Sequence, residues 1–100
     1  SVPVVVRAGA VLLEPIMSLE VVSPAQYLGD VIADLNSRRA EIRHVEDRDD
    51  QRVVIALAPL SEMFGYASAL RSFTQGRGAY SLEPSEYRQA PKKVYDRLVV

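Results

Sequence analysis

One hundred residues with 48% apolar and 25% charged side chains suffice for one hydrophobic core and not for two, which excludes an enzyme with separate cofactor and substrate domains. A formal charge of -1 supplies no whole-molecule field to steer the chain onto nucleic acid or an acidic membrane, so any such attraction must come from local clusters. Cysteine is absent, which excludes disulfides and thiolate chemistry, and no apolar run approaches the roughly 18 residues of a membrane span; a soluble, cytoplasmic chain is expected.

From Met17 to Val22, Met17, Leu19 and Val21 alternate with Ser18, Glu20 and Val22, the period of a half-buried strand. Ser23, Pro24 and Gln26 then read as a capping box with proline at the first helical position. The following helix carries Tyr27, Leu28, Val31, Ile32 and Leu35 inward and Asp30, Asp34 and Ser37 toward water. It gives way at Arg38, Arg39 and Ala40 to a strand near Ile42–Glu46, and "EDRDDQR" reads as a solvated hairpin turn. Val53–Ala58 is apolar on both faces, so its outer face is expected to meet another surface.

Pro59 and Leu60 end that strand, and Ser61 is expected to cap a second helix with Met63, Ala67, Leu70 and Phe73 or Thr74 inward. Gly65 inside such a helix costs about 1 kcal/mol relative to alanine. Gly76 and Gly78 stop the helix, Tyr80 and Leu82 share one face of a last strand, and Pro91 opens a final helix through Val94 and Leu98. The order is that of an α+β, ferredoxin-like βαββαβ sandwich, a four-stranded antiparallel sheet with two helices on one face.

No catalytic set appears in this pattern. G-x-x-x-x-G-K-[ST] does not occur, and Gly76 and Gly78 follow a helix where a phosphate loop must precede one. His44 is the sole histidine and has no companion at ligand spacing, while Asp49 and Asp50 suit a hydrated turn better than a metal site. No metal, cofactor or catalytic residue is therefore expected in this chain.

Three blocks, "LLEPIMSLEV", "YLGDVIADLNSRRAEI" and "PLSEMFGYASALRSFTQGRGAYSLEPSEY", resemble the C-terminal domain of translation elongation factor G over about Leu12 to Lys93. The resemblance implies a ferredoxin-like domain of a ribosome-dependent GTPase that drives transfer RNA and messenger RNA translocation and acts in ribosome recycling. GTP with magnesium would bind an N-terminal domain outside this chain, so this part would not be an enzyme by itself. Residues 1–11 are then the end of a preceding domain or an appended segment, and 12–100 the domain proper.

The implied partners are the large ribosomal subunit, near the sarcin-ricin loop and the stalk base, and the other domains of the same factor, with no membrane. Carried over position by position, the contact candidates are Arg71, Ser72, Gln75 and Arg77, with Arg38 and Arg39 as a second basic pair. Their chemistry agrees: arginine forks onto phosphate, serine and glutamine bond phosphate, sugar or base edges, and Gly76 permits close backbone approach. Ala40 stands where the family has glycine, which puts a left-handed helix stop there in question, and Leu82, Pro84 and Glu86 also depart from its pattern. Pro84 is expected to end or loosen the last strand. The competing reading is a free-standing ferredoxin-like regulatory domain that binds a small ligand or dimerises through its sheet.

Overall fold

The computed structural model describes residues 5–9 and 11–98, so positions 1–4 and 10 of the expected leading segment lie outside the described residues. The alternating apolar positions around Leu19 and Val21 form the middle of a much longer strand, β2, Val11–Pro24. A short exposed strand, β1, Val6–Ala8, precedes it and pairs antiparallel with its first residues. The remaining strands are β3, Glu41–Arg48, β4, Gln51–Pro59, and β5, Ala79–Gln89.

Every pairing is antiparallel, and the main sheet runs β5-β2-β4-β3. Leu13 pairs with Val6 on one side and Gln89 on the other, so β1 extends the β4 edge of β2 beyond the point where β4 stops at Pro59. This is the expected ferredoxin-like order, with β1 added to it. Helices α1, Leu28–Ser37, and α2, Tyr66–Phe73, lie on one face and close the core. Val31 and Leu35 of α1 and Tyr66 and Leu70 of α2 meet Leu19, Val21, Val54, Ala56 and Ala58 of the sheet. A third helix, α3, Lys92–Leu98, follows Pro91 and buries Val94. No helix among the described residues is long and apolar enough to cross a membrane.

Both expected helix starts move. Ser23 is not an N-cap: it is buried in β2 opposite Arg52, and Pro24 pairs with Gln51, so sheet pairing claims the residues that would have formed the capping box. The chain then makes a 3-10 turn at Ala25–Tyr27 before α1 begins. Ser61 likewise falls in a 3-10 turn, Leu60–Glu62, with no side-chain cap bond. Gly65 is therefore not inside a helix but precedes α2 at φ 78°, a left-handed conformation that glycine adopts without strain. Starting at Tyr66 rotates the buried stripe to Tyr66, Leu70 and Thr74 and leaves Ala67 exposed.

Pro84 does not end the last strand. β5 continues to Gln89 through a register shift opposite Ile16 and Met17, and its position at the sheet edge tolerates a residue without an N–H. In β4, Val54, Ala56 and Ala58 enter the core, while Val53, Ile55 and Leu57 point to the other face. There Val53 is buried and Ile55 and Leu57 are half-buried.

Candidate nucleic-acid interface

The end of α2 is built around Thr74, a fully buried residue in the last turn. Its Oγ1 donates to the Leu70 carbonyl at 2.5 Å and accepts from the Gly78 N–H at 2.9 Å, joining the helix end to the return into β5. A Cβ on Gly78 would stand 2.9 Å from that oxygen and 3.1 Å from Leu70 Cδ1, so only glycine fits. Between these fixed points Gln75 and Gly76 take φ values of 57° and 75°, and the Gly76 N–H bonds the Arg71 carbonyl at 2.8 Å. That is a Schellman stop in which glutamine occupies the position glycine usually fills.

The sharp turn presents Arg71, Ser72, Gln75 and Arg77 together at one end of the helical layer, all exposed. Among the described residues neither Arg71 nor Arg77 has an ion-pair partner. Arg71 lies in the last turn of α2, where a cation complements the helix dipole. The guanidinium of Arg77 sits over the ring of Tyr27, 5.9 Å from its centroid. The hairpin tip reaches the same end, because the Ala25 N–H donates to the Asp50 carbonyl at 2.9 Å.

Arg38 and Arg39 occupy the opposite end, since α1 and α2 run antiparallel. Arg38 Nε bonds Asp34 Oδ2 at 2.9 Å, its Nη1 donates to the Glu62 carbonyl at 2.7 Å and the Phe64 carbonyl at 3.3 Å, and its guanidinium lies 5.0 Å from the Tyr66 ring centroid. Arg39 forks onto both carboxylate oxygens of the buried Glu14 at 3.0 Å each and reaches Glu62 Oε2 at 3.2 Å. Hydrogen bonding to Glu14 holds the Arg39 guanidinium above its ordinary basicity against the opposing effect of burial. The structure thus brings Arg71, Ser72, Gln75 and Arg77 together and gives the other pair intramolecular partners.

Residues 11–98, which include both ends of the helical layer, match the family model described as elongation factor G C-terminus. The chain belongs to that family. It is an elongation factor domain, of the machinery of protein biosynthesis. The chain is 48% identical over 93 residues to elongation factor G of Thermotoga neapolitana and 54% identical over 93 residues to that of Fervidobacterium nodosum. These alignments cover 93% of this chain and 13% and 14% of those proteins, respectively. A crystal structure from Thermus thermophilus superposes with a TM-score of 0.84 at 44% identity, over 89% of this chain and 14% of that one.

Within the elongation factor G C-terminal fold, Tyr27, Gln26 and Asp50 border the Arg77 side of the surface, a placement sequence reasoning missed. Tyr27 reads as an inward helical position and Asp50 as a turn residue. The backbone bond between Ala25 and Asp50 spans 25 positions, and no local pattern announces it. Tyr66, by contrast, is 1% exposed and belongs to the core.

Proposed function

We propose that this chain is the non-catalytic ribosome-docking domain of a translational GTPase of the elongation factor G type, acting in transfer RNA and messenger RNA translocation and in ribosome recycling. The observation that carries the reading is the strained turn at the end of α2, which sets out two arginines without ion-pair partners among the described residues, together with Ser72 and Gln75. A left-handed glutamine costs conformational energy that glycine would avoid, and such strain concentrates where a side chain is needed for contact. Folded RNA is read by shape, phosphate and exposed base edges, which a small mixed polar surface can engage.

In this reading Arg71, Ser72, Gln75 and Arg77 face the sarcin-ricin loop of the large subunit, and the stalk base lies beside them. Arg38 and Arg39 serve the same function indirectly, by locking the end of α1 onto β2 and the segment before α2. GTP and magnesium belong to another domain of the factor. The half-buried outer face of β4 at Ile55 and Leu57 supports packing against a neighbouring domain of that factor.

The test is Arg71→Ala combined with Gln75→Ala in the full-length factor. Losing a charge-assisted contact and a neutral one is expected to reduce ribosome-stimulated translocation by about tenfold or more. Nucleotide binding should be unchanged, and the melting temperature of the domain should fall by no more than a few degrees, for the lost helix-dipole contact of Arg71. Translocation at the normal rate in the double variant would reject the assignment.

A further inference from the structure

We infer that Tyr27, Arg77 and Asp50 form a notch for one unpaired RNA base, separate from the phosphate contact expected of Arg71; the inference rests on the docking function proposed above. Arg77 is exposed, and its guanidinium lies over the half-buried Tyr27 ring at 5.9 Å. A planar cation backed by an aromatic ring offers a stacking surface to a base splayed out of a folded RNA. Pro24, Ala25, Gln26, Asp50 and Arg77 line a depression of about 250 Å³ at this point. The bond from the Ala25 N–H to the Asp50 carbonyl fixes the hairpin tip beside the start of α1, so the depression has a defined wall.

Asp50 decides what the notch receives. A carboxylate repels a phosphodiester, so Arg77 beside it is poorly placed for phosphate, whereas the same carboxylate accepts N–H groups from a base edge. Guanine offers two adjacent N–H donors on its Watson–Crick edge and can engage both carboxylate oxygens; adenine offers only its amine there and uracil a single ring N–H. Asp50 lines the depression and has no ion-pair partner among the described residues, the nearby cation Arg52 being engaged with Asp47 at 3.0 Å. The arrangement therefore favours an unpaired guanine stacked on Arg77.

The experiment measures binding of the 100-residue chain to three RNA stem-loops of one stem sequence, whose loops carry a single unpaired guanine, adenine or uracil. Wild type is expected to prefer the guanine loop. Arg77→Lys keeps the charge and loses the plane, and should weaken that complex about tenfold. Tyr27→Leu should act likewise, Tyr27→Phe should bind as wild type, and Asp50→Asn should abolish the preference for guanine. Arg71→Ala should weaken all three RNAs equally and flatten the salt dependence. Wild-type binding by Arg77→Lys and Tyr27→Leu, with Arg71→Ala impaired, would overturn the notch and leave the docking function standing. Binding indifferent to Arg71→Ala and to loop identity would overturn both.

Discussion

Tyr66 is a fully buried tyrosine whose hydroxyl has no hydrogen-bond partner among the described residues. Arg38 lies against its ring face, and the Tyr80 ring meets it edge-on at 5.1 Å and 83°, so the ring is held and only the oxygen is unsatisfied. Burial, reinforced by Asp34 and opposed by Arg38, pushes the phenol well above its ordinary value of 10.0. The folded state thus favours the neutral phenol, and that preference is fully present below pH 10 and lost as pH rises toward the folded value. Tyr66→Phe keeps both ring contacts and removes the unsatisfied oxygen. It is expected to raise stability in urea unfolding by about 1 kcal/mol at neutral pH and to reduce the loss of stability above about pH 10. The inward stripe expected from the sequence, Met63, Ala67 and Leu70, omits Tyr66, because a shift of one residue in helical register decides which way a side chain faces.

At the scale of elements, both main helices end in the same way. In α1 the Ala40 N–H bonds the Leu35 carbonyl at 3.1 Å and Arg39 takes φ 58°, while in α2 Gly76 and Gln75 play those parts. The left-handed stop questioned at Ala40 is present, but Arg39 carries it one residue earlier. The two strained residues differ in what their side chains do, so glycine should have opposite effects. Gln75→Gly relieves backbone strain at an exposed position and is expected to stabilise the domain by about 1 kcal/mol while weakening ribosome binding. Arg39→Gly relieves the same strain but leaves Glu14 buried without its partner, and should cost about 2 kcal/mol net. Urea titrations of the two variants check the opposed signs. Neither position was legible as strained, because its conformation follows from where β3 and β5 must begin.

For the whole molecule, the central fact is the length of β2, which pairs with three other strands and gives the described residues an extent of 48 Å along their longest axis. β1 adds little burial to it, since Val6, Arg7 and Ala8 are all exposed. Removing residues 1–9 is therefore expected to lower stability by less than about 1 kcal/mol and to leave the circular dichroism spectrum of the fold intact. A collapse of the melting transition on truncation would place the domain boundary earlier than Val11.

The period-2 alternation of β2, the helical stripe through Val31 and Leu35, the turn at Asp49 and Asp50 and the end of α2 before Gly76 and Gly78 were all written in neighbouring residues, and with them the order of the ferredoxin-like fold. Local sequence sufficed there because each signal depends on side chains within a few positions of one another. The helix starts, the persistence of β5 past Pro84, the separation of Arg38 and Arg39 from Arg71 and Arg77, and the meeting of Tyr27 with Arg77 were decided only by tertiary structure. Sheet pairing took Ser23 and Pro24 from their cap, and the antiparallel run of α1 and α2 placed the two arginine groups at opposite ends. Such outcomes depend on contacts between residues far apart in the chain, whose combined energy exceeds any local preference.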